Sequence, residues 1–531
     1  MLPVEIWVIT LVVVVVALSA LAQRLSLPYP IVLVIGGAAL GFVPGLPAVH
    51  LEPELVLVVF LPPLLYNASV FANVGDFAEN KKWLVLNTVP LVLLTMVLVA
   101  VVAHALVPDL TWGAAFVLGA IVSPTDSVAP GVVMRQLGAP RNLVSIVEGE
   151  GLFNDATALT AYRAAVAAAV SGTFSLGASS LRFVLGATGG VLIGLVVGWV
   201  AARVRRRVED AQLSVILSLL TAYVAYIPAD VLGASGVLAT VSAGLYVGVR
   251  APSTLPAQSR LQGTVVWNLL DLVLNAILFT LVGLELHNAI EALAGNRPAT
   301  LVGWALAVAG VAVLVRLVWF FSVPYAVRAV DEASIPADRR ANAKGRVVVA
   351  WSGMRGAVSL AVALAVPTTL ANGAPFPGRD LIVFLTFAVI LITLVVQGLT
   401  LPALIKRLGV KDPEADEHEE LVARLAASRA ALDQVEQLAA DDRTGEDTLD
   451  RLRRQYRFRE ARLAAQAGER EDDGYEDRSQ SYERAVLEVL GAQRDALLEL
   501  REAGSLSNTT LNRLVHELDL EESRFAGGGA V

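Results

Sequence analysis

The chain has 531 residues, of which 55% are hydrophobic and 17% charged, and a formal net charge of −8. A mean hydropathy of +0.63 excludes an ordinary soluble domain and predicts an all-α polytopic membrane protein. There is no cysteine, so the fold uses neither disulfides nor thiolate metal sites.

A spanning helix needs about 20 mainly apolar residues. Such runs occupy 4–23, 29–45, 52–71, 83–107, 112–134, 143–170, 182–202, 211–229, 231–249, 264–287, 299–323, 346–370 and 380–405, which predicts about thirteen transmembrane helices. The first run has no basic stretch before it and no small-residue cleavage pattern after it, so it reads as a retained span. Nineteen Lys and Arg residues fall in loops after odd-numbered runs, against three (Arg182, Arg297 and Arg379) on the other side. That bias puts the N-terminus outside and the C-terminus in the cytoplasm. It also explains basic loops such as Arg203 to Arg207 through topology and anionic lipid, with no nucleic-acid partner.

Polar residues interrupt several runs. Asn67 ends Leu61-Pro-Pro-Leu-Leu-Tyr-Asn. In Ser123-Pro-Thr-Asp126 the proline removes a helical donor and frees backbone carbonyls, which membrane depth tolerates only beside a cavity or within protein. Freed carbonyls and the Asp126 carboxylate are hard oxygen ligands suited to an alkali cation. A simple proline kink, with Thr125 and Asp126 capping the second half-helix, is the alternative, and the two can coexist.

Asp155 follows Asn154 in Glu148-Gly-Glu-Gly-Leu-Phe-Asn-Asp-Ala and opens an apolar stretch. An intramembrane carboxylate is costly and marks ion or proton pathways. A proton or a metal cation can neutralise it, so the two compete for one site. Asn154 adds an amide but no second negative charge, and it can fix the carboxylate or cap the helix. Arg163, eight residues on, faces a similar direction and can tune Asp155 or bridge to Asp271. Asp271 and Asn275, four apart, share a helix face. Arg316 sits mid-helix and needs a partner. In Trp351-Ser-Gly-Met-Arg355-Gly two glycines flank an arginine that must meet an acid or a carbonyl, and Glu150 is the expected acid. A Glu150–Arg355 bridge would brace two broken elements and leave Asp155 to titrate.

The composition changes after Leu408. From Asp412 to Val531 there are 29 acidic residues against 16 arginines and no lysine, a net of −13. Residues 411–531 are therefore expected to form an acidic helical cytoplasmic tail, separate from a transmembrane domain over 1–410. Its apolar residues recur at helical spacing, with breaks near Asp441 to Gly445 and Glu471 to Gly474, and Ser507 is a plausible helix cap. No catalytic constellation, phosphate loop or cofactor site is visible in the tail or the loops.

Five stretches, the motifs beginning at Leu61, Ser123, Glu148 and Gly353 and the run Val395-Val-Gln-Gly-Leu-Thr-Leu-Pro, occur in the order seen in the monovalent cation:proton antiporter-1 family. The chain resembles that family, which includes bacterial and animal sodium/proton exchangers, over about residues 1–410. The resemblance implies inverted repeats with discontinuous helices, a homodimer, and alternating access by movement of a core. It implies that Asp155 holds Na⁺ and H⁺ in turn with Asp126 and Thr125 beside it, that Glu150 and Arg355 form a structural pair, and that Asn154 before Asp155 goes with electroneutral exchange.

Three positions depart from the family pattern. Gly151 stands where relatives carry a serine whose hydroxyl often ligates the cation, Asn67 where many carry glutamate, and Ser127 where proline commonly follows Thr-Asp. Water is expected to fill the gap at Gly151. The expected activity is therefore Na⁺:H⁺ antiport across the inner membrane, serving pH and Na⁺ homeostasis, with K⁺ or Li⁺ as alternative cargo. A passive cation channel lacks a filter motif here, and an intramembrane aspartyl protease lacks its Gly-x-Gly-Asp signature.

Overall fold

The computed structural model describes residues 4–25, 27–43, 53–79, 81–108, 110–171, 176–291, 293, 295, 297–330, 343–370, 372–410, 413–440, 444–471, 474–503 and 505–525. The chain divides into two compact units, 1–411 and 412–531. The expected boundary at 411–412, the breaks at 441–443 and 472–473, and Arg339 and Arg340 in a basic loop lie outside the described residues.

The first unit is all-helical, with an isolated Thr369–Pro375 bridge and no strand among the described residues. Its first helices are α1 (Val4–Leu25), α2 (Tyr29–Gly41), α3 (Pro53–Val70), α4 (Val74–Glu79), α5 (Lys81–Thr88) and α6 (Pro90–Leu106). A first broken pair follows, α7 (Trp112–Val122) and α8 (Val128–Gln136), and then α9 (Arg141–Ser171), α10 (Leu176–Arg205), α11 (Ala211–Val231) and α12 (Gly236–Thr254). The long α13 (Ala257–Glu291) and α14 (Pro298–Val330) lead to a second broken pair, α15 (Ala343–Trp351) and α16 (Ala357–Leu364). Last come α17 (Arg379–Ile392), a π-helical turn (Thr393–Gln397) and α18 (Gly398–Leu408).

Every apolar run read from the sequence falls on one of these helices or helix pairs. Among the described residues, six helical stretches are long and apolar enough to cross a membrane: 81–106, 180–205, 211–231, 257–281, 298–324 and 379–408. Between α7 and α8 the polar stretch Ser123 to Ser127 interrupts the apolar run.

With lipid outside, helices associate by close packing of small residues instead of by expelling water. Gly190, Gly194 and Gly198 form such a ladder on α10, and a Cβ at Gly194 would stand 2.2 Å from the Ala239 carbonyl oxygen on α12. The same holds between α2 and α13, where a Cβ at Gly37 would lie 2.3 Å from the Thr280 oxygen and one at Gly283 would lie 2.3 Å from the Val34 oxygen. The main core lies where α7, α14, α16 and α17 meet, around Ala115, Leu118, Ala312, Ala363, Leu385 and Ile390, all fully buried.

The second unit contains α19 (Pro413–Ala440), α20 (Glu446–Gln466), α21 (Tyr475–Glu502) and α22 (Asn508–Phe525). Leu425 packs on Leu463 and Ala464 between α19 and α20. Arg453 binds Glu436 and Glu446, both at 3.0 Å, and its hydrogen bond holds the Glu436 carboxyl below the ordinary glutamate range. Arg494 of α21 reaches Asp519 of α22 at 2.8 Å. Ser507 caps α22 by accepting from the Thr510 amide at 3.2 Å.

Candidate ion-binding site

The two broken pairs meet at their breaks. Pro124 stops α7, and the Gly353/Gly356 pair keeps residues 352–356 non-helical, so both segments present bare backbone inside the protein. The Asp126 amide donates to the Met354 carbonyl at 2.8 Å. Gly356 permits this approach, since a Cβ there would lie 2.6 Å from that of Asp126. Asp126 Oδ1 accepts from the Val128 amide at 3.1 Å, at the start of α8, while its buried Oδ2 has no partner among the described residues.

Helix α9 runs past this crossing and supplies Glu150, Asn154 and Asp155. Asn154 Nδ2 donates to the Thr125 hydroxyl at 2.9 Å and to its carbonyl at 3.2 Å, and the Thr125 hydroxyl donates to Glu150 Oε1 at 3.0 Å. Thus Asn154 fixes the broken backbone, and not its neighbour Asp155. The Asp155 carboxylate has no hydrogen-bond donor among the described residues.

The expected Glu150–Arg355 pair is not formed. Glu150 is paired through both oxygens with Arg316 of α14, the Nη2–Oε2 distance being 3.1 Å, and each side chain is 2% exposed. Arg316 also donates to the carbonyls of Ala350 at 3.1 Å and Val349 at 3.0 Å, in the last turn of α15. Arg355 donates to the Val122 carbonyl at 3.0 Å, in the last turn of α7, and to the Gly353 carbonyl. The reason is the chemistry of a helix end. The last carbonyls of a helix lack intrahelical partners, and where no water reaches them a guanidinium both satisfies them and suits the negative end of the helix dipole. Each arginine therefore closes the C-terminal end of one half-helix, and Arg316 is the one that also reaches the acid. The Arg355 amide donates to the Thr393 hydroxyl at 3.1 Å, tying the second break to the π turn.

The breaks, α3, α9 and α13 enclose a cleft of about 90 Å³. Asp126, Asp155 and Asp271 line it, with Thr125, Ser127 and Asn275. Asp271 thus belongs to the same cleft, and Asn275 Nδ2 donates to its backbone carbonyl at 3.0 Å. Among the described residues, no group of three or more His, Cys, Asp or Glu side chains is gathered closely enough to hold a metal ion. The carboxylates stand on separate elements around the cleft.

The gap expected at Gly151 is already filled, and by the protein itself: a Cβ there would lie 2.7 Å from the hydroxyl oxygen of Ser127. Two departures from the family pattern, 24 positions apart, are in contact. Arg163 joins neither Asp155 nor Asp271 and forms an ion pair with Asp230 of α11. It stands in a larger cavity of about 980 Å³ between α9, α10, α11 and α12, which Leu159, Arg182 and Tyr226 also line. A water-sized void of about 10 Å³ beside Asp155 is lined by Leu159 as well.

Sequence reasoning missed the Glu150–Arg316 pair, the Arg163–Asp230 pair and the Ser127–Gly151 contact. One signal was present: two intramembrane arginines, Arg316 and Arg355, stood against one nearby glutamate.

The profile of the family described as "Sodium/hydrogen exchanger, transmembrane" matches residues 9–407. An "Uncharacterized Na(+)/H(+) exchanger" of Mycobacterium tuberculosis is 34% identical over 521 residues, which cover 97% of this chain and 95% of that protein. The "Sodium, potassium, lithium and rubidium/H(+) antiporter" of Bacillus subtilis is 32% identical over 73% of this chain and 60% of its own length. Among solved structures, the sodium proton antiporter MjNhaP1 of Methanocaldococcus jannaschii matches 76% of this chain and 99% of its own, with a TM-score of 0.59 and 16% identity, a likeness of fold.

Proposed function

The chain belongs to the sodium/hydrogen exchanger family, and on that premise we propose that it is an antiporter exchanging Na⁺ for H⁺ across the plasma membrane, one for one. The observation that carries this reading is the pair of uncommitted carboxylates, Asp155 and Asp126 Oδ2, at the crossing of two broken helices. Unengaged carboxylate oxygens in a small cleft are ligands awaiting a cation, and a proton satisfies them equally.

In this reading Asp155 alternates between Na⁺ and H⁺, Asp126 is a second cation ligand, and Asp271 adds negative potential on the facing α13. Asn154 and Thr125 hold the broken backbone in place and add no charge, which supports an electroneutral cycle. The Glu150–Arg316 pair braces the site. The chain works as a homodimer, its N-terminus is outside, and residues 411–531 form a cytoplasmic tail; the lysine and arginine bias of the loops supports that orientation. Its role is pH and Na⁺ homeostasis.

K⁺:H⁺ exchange is the second reading, favoured by the name of the Bacillus subtilis relative, which covers sodium, potassium, lithium and rubidium. The test is flux. In everted vesicles, Na⁺ should raise the pH of an acidified lumen with the parent protein and not with Asp155→Asn at equal abundance. Normal exchange by that variant overturns the assignment.

A further inference from the structure

Gly151 and Asp155 lie four residues apart on α9 and therefore on one face. Whatever stands over Gly151 is about one helical turn, roughly 6 Å, from Asp155. That space is occupied by Ser127, whose hydroxyl oxygen and Cβ would lie 2.7 Å and 2.8 Å from a Cβ at position 151. Any residue at 151 larger than glycine would push the serine away.

Ser127 is the N-cap residue of α8, a place where serine ordinarily accepts from an amide of the first turn. Here it makes no such bond. The N3 residue is Pro130, which has no amide hydrogen, and Asp126 Oδ1 takes the Val128 amide at 3.1 Å, so the serine hydroxyl is not the cap. It lines the same cleft as Asp126, Asp155 and Asp271. The hydroxyl thus has a cleft to face, no capping duty, and a glycine opposite that leaves room for it.

We propose that Ser127 is the hydroxyl ligand of the transported cation, and that Gly151 is the glycine whose missing side chain makes room for it. The inference rests on the exchange reading above and adds to it a residue that sets cation affinity and selectivity. A neutral hydroxyl completes the oxygen shell that the carboxylates begin, without changing the number of charges carried per cycle.

The experiment measures Na⁺- and Li⁺-driven proton movement in everted vesicles for the parent, Ser127→Ala, Ser127→Gly and the double variant Ser127→Gly/Gly151→Ser. Both single variants should raise the apparent KM for Na⁺ about tenfold, the loss of one hydrogen-bond-strength contact to a charge, with maximal rate retained and an altered Na⁺-to-Li⁺ preference. The double variant, which offers the hydroxyl from the opposite wall, should return KM to within about threefold of the parent. An unchanged KM and an unchanged preference in Ser127→Ala would show a packing residue and overturn the proposal. So would a double variant that reaches parental abundance by immunoblot yet stays as weak as Ser127→Gly; if the double does not accumulate, Ser127→Ala decides. Exchange by the parent in the same vesicles reports separately on the proposed function.

Discussion

Asn154 spends its amide on Thr125: Nδ2 donates to the Thr125 hydroxyl at 2.9 Å and to its carbonyl at 3.2 Å. The Thr125 hydroxyl in turn donates to Glu150, which Arg316 holds. A neutral amide, a hydroxyl and a buried ion pair therefore form one relay behind the cleft. Its far end closes the last turn of α15 through the Val349 and Ala350 carbonyls. The asparagine acts on the cation site through the backbone it immobilises.

Asn154→Ala should leave two buried acceptors without a donor and cost about 1–3 kcal/mol. Thermal unfolding of the detergent-purified protein checks this. Asn154→Asp should instead make exchange move net charge, detectable as a Na⁺-evoked current on a supported membrane. A silent Asn154→Asp variant that still exchanges would count against the link between the amide and electroneutrality.

The Glu150–Arg316 pair predicts a non-additive cycle. Arg316→Ala leaves a buried carboxylate uncompensated and should cost about 3–5 kcal/mol, whereas Glu150→Gln/Arg316→Met should cost less than the sum of its parts. Glu150→Gln combined with Arg355→Ala should be less strongly coupled than the Arg316 cycle, because Arg355 donates to the Val122 and Gly353 carbonyls instead of the acid. Melting temperatures of the four single and two double variants decide it.

Competition for Asp155 sets a pH dependence. Protons and Na⁺ neutralise the same carboxylate, so acidification should raise the apparent KM for Na⁺, by up to about tenfold per pH unit, and leave the rate at saturating Na⁺ unchanged. A flux series in Na⁺ at several pH values tests this. Loss of maximal rate at constant KM would place the titration elsewhere.

At Gly194 a methyl group has nowhere to go, with the Ala239 oxygen 2.2 Å from its Cβ position. Gly194→Ala should separate α10 from α12 and cost about 1–3 kcal/mol. Gly310→Ala, on α14 with open space around it, should cost nothing measurable. The comparison uses thermal unfolding of both variants.

Ending the chain at Lys411 should leave Na⁺-driven exchange in place, since residues 412–531 make up their own compact unit around Leu425, Leu463 and Ala464. Vesicle flux by the shortened chain is the check, and its loss would make the tail part of the transport machinery.

The helices and their interruptions were legible because each has a local cause. Pro124 must end a helix, and glycines at 353 and 356 weaken one, so both breaks could be read without knowing what they touch. Asp155 and Asp126 were legible as charges out of place. The partners were not. Glu150 and Arg316 lie 166 positions apart, Arg163 and Asp230 lie 67 apart, and nothing local to either arginine selects an acid over a carbonyl. Arg355 was misassigned because the nearby acid was visible and the unpaired carbonyls of α7 were not. Gly151 looked like a missing ligand since the sequence could not show that Ser127 stands against it.

On α9, Asp155, Leu159 and Arg163 follow one another at four-residue spacing, and Leu159 borders both the void beside Asp155 and the large cavity that holds Arg163. Leu159 stands between Asp155 and Arg163 on this helix, one turn or roughly 6 Å from each. Leu159 is therefore the residue through which a change of side chain reaches both spaces at once.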